Sequence, residues 1–390
     1  MLKKSIIALS TVLVSFFSAP SFSADETIVK IGHVAAMSGA IAHLGKDNDN
    51  GAKLAIEELN AKGTTINGKK VTFVLMSEDD AGDPKQGTSI AQKLVDAKVN
   101  GVVGHLNSGT SIPASKIYHA AGIPQIAPSV TSMGYNAQGY KSAFRDVAND
   151  GQLGAELGHY ATNVLHAKTV AVIDDRTAYG QGIADQFVKG LKSQSKSNGG
   201  DAVKMTQRQF TKASATDFNS ILTTIKATKP DIIFFGGMDA TAGPMLRQMK
   251  ALGIKTKFMG GDGICTEQLS ALAGNALGED QVICAVAGGV TDKEKKGYDG
   301  YLRAYKKRFG TGIQVYSPYV YDAVMTLADA MQQAKSSDPA VYLPFLQKIH
   351  HKGVTGDIAF DDKGNLKNGY LSLYTYKAGG RALMSVVKLK

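Results

Sequence analysis

Short β-rich runs alternate with amphipathic helical stretches along nearly the whole chain, and this alternation constrains the fold more than any other feature. Residues 27–36, 71–77 and 101–106 read as strands, with helices over 51–61 and 88–97 between them. The pattern resumes with strands at 169–174, 231–236 and 257–260 and helices at 182–193, 217–226 and 243–252. Such alternation specifies parallel sheets wrapped by helices, the α/β class. A chain of 390 residues has room for two such bodies. The polar extended stretch AFRDVAND at 143–150 precedes the restart and reads as the crossing between them. Sheets of this kind take ligands at the carboxyl ends of their strands.

Residues 1–24 read as a cleavable signal peptide: Lys3 and Lys4, an apolar run over 5–19, then Ser21, Ser23 and Ala24. The apolar run is too short to span a bilayer, and with no cysteine in this segment a lipid anchor at the cleavage site is not expected. The reading predicts an exported mature chain. The formal charge of +10 includes Lys3 and Lys4 and is spread without a long basic block, so no nucleic-acid partner is expected. Cys265 and Cys284 would both sit in an oxidising compartment, which favours a disulfide over a metal pair.

The chain carries no HExxH, GxSxG, phosphate-binding P-loop or dinucleotide-binding glycine motif, and its eight histidines are scattered. Enzymatic readings therefore fare poorly, and no catalysis, cofactor or metal is expected. His105 reads as a strand residue, His350 and His351 as a surface helix end, and Glu78, Asp79 and Asp80 as a solvated strand end.

The segments GHLNSGTSIPAS (104–115) and IAPSVT (126–131) each read as a strand ending in small, hydroxyl-bearing residues. A helix starting near Ser108 presents unpaired amides beyond the strand, a seat for a carboxylate or phosphate. Ser108 would equally suit a plain helix N-cap.

These two segments resemble the ligand-carboxylate segments of the periplasmic leucine/isoleucine/valine-binding proteins, the solute receptors of amino-acid ABC importers. The resemblance extends through IGHVAAMSGAIAHLG, NGAKLAIEELNAKG, EDDAGDPKQG, YGQG (179–182), GGMDATAGPMLRQMKALG and FMGGDG (258–263). It implies a type I periplasmic binding fold: two doubly wound lobes, each a mostly parallel sheet flanked by helices, joined by three hinge crossings. The second and third crossings would fall at 282–288 and 360–366. The first lobe would comprise 25–146 plus 287–363, and the second 147–286 plus 364–390.

The resemblance also assigns roles. Ser108, Ser129 and Thr131 match the family's carboxylate contacts. Asp262 stands where related receptors carry a Glu for the ammonium, and Tyr179 matches a tyrosine of the second lobe that covers the ligand. Asp239 is a neighbouring candidate that also suits a helix N-cap. Leu44 and Met238 stand where the family places aromatic side chains, and Tyr316 remains as a wall, so the apolar space is larger and softer. The expected function is capture of an aliphatic, branched-chain L-amino acid by a monomer that delivers it to a membrane ABC permease. Alternatives are a sensory adaptor, or a receptor for an aromatic amino acid, an amide or urea.

Overall fold

The computed structural model describes residues 27–197 and 202–389; the leader read at 1–24 lies outside them. In chain order the strands are β1 Thr27–Ala35, β2 Thr65–Ile66, β3 Lys69–Asp79, β4 Gly101–Gly104, β5 Gln125–Ala127, β6 Ala143–Arg145, β7 Thr169–Asp174, β8 Lys204–Phe210, β9 Ile232–Gly236 and β10 Lys257–Gly260. They continue with β11 Val282–Val286, β12 His351–Lys352, β13 Asp357–Ile358, β14 Tyr370–Lys377 and β15 Gly380–Lys388. One sheet has the order β2-β3-β1-β4-β5-β6 and a second β15-β14-β11-β10-β9-β7-β8, with β12-β13 as a small ribbon.

Within each large sheet five neighbouring strands run parallel. In both, the strand that comes first in sequence lies second in order, which makes each sheet doubly wound with a switch point beside β1 or β7. The central strands β4, β9 and β11 are buried at every position, as strands covered on both faces must be. Antiparallel β14 and β15 complete the second sheet. No described helix is long and apolar enough to cross a membrane.

Residues 292–346 return to the first sheet. Tyr301, Tyr305, Val320, Leu327 and Tyr342 pack in one core with Val29, Ile31, Val71 and Phe73. The second sheet packs Leu153, Leu157, Ile183 and Phe187 against Val170, Val172 and Phe234. A third cluster draws on both bodies, joining Ala35, Leu44, Leu106 and Tyr316 to Ile173, Phe235, Ile264 and Phe258. The cleft between the carboxyl ends of the two sheets is thus closed.

Several sequence expectations change at the crossings. Residues 143–145 are strand β6, and 282–286 are β11, a buried strand of the second sheet, so the crossings begin at Asp146 and after Val286. The first two crossings bond to each other, Ala148 N donating to the Ala287 carbonyl at 2.8 Å. Phe360 and Leu366 bridge and pack on the first core, so the third passage follows Leu366. β8, KMTQRQF, escapes a hydropathy reading because an edge strand is only half covered.

Candidate functional site

β4 ends at Gly104, and the chain turns into the helix Ser108–Ala120. Asn107 is its N-cap residue and makes no side-chain cap bond. Ser108 is therefore the first helical residue and does no capping; its Oγ lies 3.4 Å from the amide of Ser132. From the neighbouring β5 the chain runs on to Ser129, whose hydroxyl donates to the Leu106 carbonyl at 2.9 Å. That bond ties the two strand ends together. Among the described residues the amides of Ser108, Ser129 and Thr131 donate to no protein acceptor, and the buried Thr131 hydroxyl has no partner in good hydrogen-bond geometry. Backbone donors at the start of a helix, with a hydroxyl beside them, suit a carboxylate.

A buried arginine holds this cradle in shape. Arg145 is 1 % exposed, and its guanidinium donates to the carbonyls of Val130 and Ser132 and to Asn136 Oδ1 at 2.7–2.9 Å. A trans peptide points its C=O and N–H in opposite directions. Holding the Val130 carbonyl therefore turns the Thr131 N–H away from the guanidinium. Burial lowers the pKa of Arg145 to about 10.

The opposite wall is acidic. Asp262 begins the short 3-10 turn Asp262–Ile264 after β10 and is 1 % exposed. Tyr179 donates to its Oδ1 at 2.7 Å and Tyr316 to its Oδ2 at 2.8 Å. Tyr179 lies at the start of the helix Ala178–Ser197, and its hydroxyl also accepts from Gly263 N at 2.8 Å. That approach requires glycine: a Cβ at Gly263 would stand 2.8 Å from the tyrosine ring and 2.7 Å from Met238 Sδ. Burial raises the pKa of Asp262 despite both phenol donors.

Asp262 and Tyr179 come from the second lobe, while Tyr316 belongs to the first. Tyr316 is fixed by Asp47, whose carboxylate accepts from the backbone amides of Gln314, Val315, Tyr316 and Ser317 at 3.0–3.2 Å and from the Tyr305 hydroxyl at 3.1 Å. These charge-assisted bonds also complement the start of the helix Ser317–Gln333.

The sequence reading missed Asp150. It opens the helix Asp150–His159, which begins with a capping box between Asn149 and Gln152. Its amide donates to the Thr131 carbonyl at 2.8 Å. It is fully buried, and neither carboxyl oxygen has a partner in good geometry. Burial, and after it the charge of Asp262, pushes its pKa up to about 8, while nearby Thr131 and Arg145 pull the other way. The N-x-x-Q spacing was the available signal; an extended crossing was read there instead.

Of the residues named from sequence, Ser108, Ser129 and Thr131 stand together, and Asp150 links them to Asp262, Tyr179 and Tyr316. Leu44 and Met238 share one apolar cluster with Ala35, Leu106 and Tyr316, Leu44 fully buried and Met238 partly so. Asp239 caps no helix by its side chain: Met238 is the N-cap residue of the helix Asp239–Ala251. The Asp239 Oδ2 instead meets His43 Nε2 of the first lobe at 2.7 Å and accepts from Thr266 at 2.6 Å. Cys265, just past the Asp262 turn, is disulfide-bonded to Cys284 of β11 with Cα atoms 5.4 Å apart.

Other polar residues serve the scaffold. Asp80 is fully buried, not solvated, and bonds His105 Nδ1 at 2.8 Å, while His105 Nε2 meets the Tyr118 hydroxyl at 3.0 Å. His351 lies in β12, not a helix end, and contacts Asp329 at 2.9 Å. Among the described residues no cluster of three or more His, Cys, Asp or Glu could hold a metal ion.

The chain matches the periplasmic binding protein family over residues 28–381. It is 34% identical over 357 residues to the Leu/Ile/Val-binding protein homolog 1 of Brucella abortus, covering 90% of this chain and 91% of that one. It is 31% identical over 360 residues to a leucine-, isoleucine-, valine-, threonine- and alanine-binding protein of Pseudomonas aeruginosa, covering 92% of each. Its fold superposes with a TM-score of 0.81 on the branched-chain amino acid transporter substrate binding protein LivJ of Streptococcus pneumoniae in complex with isoleucine. That pair is 26% identical and covers 93% of this chain and 99% of the other.

Proposed function

The chain belongs to the periplasmic binding protein family, and from that premise we propose that it captures an aliphatic L-amino acid between its lobes and hands it to a membrane ABC permease. In this reading it is a periplasmic monomer that releases its ligand unchanged. The observation that carries the reading is the opposition, across one closed cleft, of an amide and hydroxyl cradle at Ser108, Ser129 and Thr131 to a buried carboxyl at Asp262. The first receives the ligand carboxylate. The second, with Asp150 beside it, receives the ammonium. Leu44, Met238 and the Tyr316 ring bound the side-chain space, and Tyr179 sets the orientation of Asp262.

Closure follows from ligand contacts that come from both lobes, since only interactions made better in the closed state shift the equilibrium towards it. The lobes rotate about the passages at Asp146, Ala287 and the segment after Leu366. Titration calorimetry with leucine, isoleucine, valine and phenylalanine, beside 4-methylpentanoate (leucine without its amino group), tests the assignment. The aliphatic amino acids bind within a modest range of one another, because one methylene is worth about 1–3 kcal/mol in an apolar pocket. The deaminated acid binds far more weakly, since it leaves Asp262 buried without its cation. Equal affinity for leucine and 4-methylpentanoate overturns the proposal.

A further inference from the structure

One bond across the cleft uses none of the groups proposed to touch the ligand. His43 stands in the first turn of the helix Ala42–Ala61 of the first lobe, and Asp239 opens the helix Asp239–Ala251 of the second. His43 Nε2 lies 2.7 Å from Asp239 Oδ2; a carboxylate oxygen only accepts, so Nε2 carries the proton in this pair. The two partners are held unequally. Asp239 is fully buried, and its Oδ2 also accepts from the Thr266 hydroxyl at 2.6 Å. That hydroxyl accepts in turn from the Leu269 amide at 3.1 Å, while the Thr266 carbonyl accepts from the Tyr376 hydroxyl at 2.7 Å. Thr266, Leu269 and Tyr376 all belong to the second lobe, so the carboxyl is aimed whether or not the lobes meet. The His43 side chain is 20 % exposed, and its bond partner lies on the opposite lobe.

A bond whose donor and acceptor sit on different lobes exists only while the lobes are together, so its whole worth falls on the closing step. Tyr316 crosses the cleft too, but its bond falls on Asp262, the carboxyl proposed for the ligand ammonium, and a change there mixes closure with recognition. The His43 bond does not. Its position gives it leverage: His43 immediately precedes Leu44 and Asp239 immediately follows Met238, so the bond draws together the two chain segments that carry the apolar walls. We propose that His43 is a positioning residue for ligand retention: acting through Asp239, it latches the closed lobes and sets how long a ligand stays, leaving the choice of ligand to the residues that touch it. This rests on the reading of the cleft as the ligand site. Every ligand over which the lobes close fully gains from the latch by the same factor.

The test compares the full mature chain with its His43→Ala and His43→Gln variants, the glutamine amide keeping an N–H donor at similar reach. Stopped-flow binding of leucine, isoleucine and valine should show koff raised roughly tenfold or more in His43→Ala, the worth of one hydrogen bond to a charged group. The kon should stay within about twofold of the parent value, because the ligand enters the open form before the latch is made. The loss is equal for the three amino acids, so their ranking holds, and His43→Gln keeps koff within about threefold of the parent. In ligand-free protein, a distance probe on each lobe should report a smaller closed fraction for His43→Ala than for the parent or His43→Gln. That arm needs no ligand: if none of the three amino acids binds the parent, the reading of the cleft fails while the closed fraction still decides the latch. Parental koff in His43→Ala, a loss in kon in place of koff, a loss confined to one amino acid, failure of glutamine to preserve koff, or an unchanged closed fraction overturns the proposal.

Discussion

On the first-lobe face of the cleft the polar groups are peptide N–H groups and hydroxyls, held by Arg145 and by the Ser129 to Leu106 bond. On the second-lobe face they are two carboxyl groups, Asp150 and Asp262, fully buried and both raised in pKa. Main-chain dipoles carry the same charge distribution at every pH and are set by the fold. A buried carboxyl is different: its charge depends on what stands opposite, and it becomes comfortable only when a cation arrives. On the proposed reading, the comparison teaches that a carboxylate seat is built in before the ligand comes, whereas an ammonium seat is completed by the ligand itself.

The strongest way to break this comparison is to strip the cradle. Ser108→Ala combined with Thr131→Ala removes two bonds to a charged group, each worth about 1.5–3 kcal/mol. Calorimetry should show leucine affinity reduced by roughly a hundredfold or more with an unchanged circular dichroism spectrum; near-parental affinity removes the carboxylate from this wall. Next comes Asp262→Asn. It should weaken leucine by about 10- to 100-fold, the loss of one charge-assisted bond, and narrow the gap between leucine and 4-methylpentanoate. An unchanged gap places the ammonium elsewhere.

The third prediction sharpens the contrast through pH. A carboxyl whose pKa is higher in the closed, empty state than in the open one favours that closed state at low pH and loses the benefit as pH rises. For Asp150 the window runs from the ordinary 3.8 to about 8. The closed fraction of ligand-free protein, followed by a distance probe on each lobe, should therefore fall between pH 5 and pH 8. Asp150→Asn should flatten the slope; a flat parental profile contradicts the idea that this acid is solvated on opening. The smallest effect on binding belongs to the disulfide. Reduction should lower the melting temperature, in line with roughly 3 kcal/mol for a loop of this length, yet move leucine affinity less than about threefold, because Cys265 lies beyond the Asp262 turn and meets Asp262 through its backbone amide, which donates to the Asp262 carbonyl at 3.0 Å whether or not the sulfur is paired. A larger change makes the disulfide part of the second-lobe wall.

The cradle was legible in sequence because small and hydroxyl-bearing residues after a buried strand are a local pattern, visible in GHLNSGTSIPAS and IAPSVT. The resemblance to known receptors supplied Asp262, Tyr179 and Tyr316. Asp150 was not legible, because an acid beginning a helix is common and only burial against Thr131 and Asp262 makes it unusual. The same holds for Arg145: a lone arginine in AFRDVAND reads as polar, and its enclosure depends on Val130, Ser132 and Asn136 folding around it. Asp239 failed in the other direction. Its position at a helix start suggested a cap, but His43 of the opposite lobe and Thr266 take its carboxylate, and neither is a local neighbour.

The clamp from Asp47 to the chain before Ser317 has a consequence for the order of assembly. Its backbone donors lie 267 to 270 residues further along the chain, at synthesis rates of 5–20 residues per second a delay on the order of 10 to 50 s. A nascent chain complete through residue 313 carries Ser108, Ser129, Thr131, Tyr179 and Asp262 yet lacks Tyr316. The helix bearing Asp47 waits with an uncompensated carboxylate, and a contact of such sequence separation closes late. The chain therefore passes through the synthesis of residues 263–315 with the cradle and the acidic wall both made and the bridge between them absent, and on the proposed reading it becomes able to retain a ligand only once Tyr316 has been added.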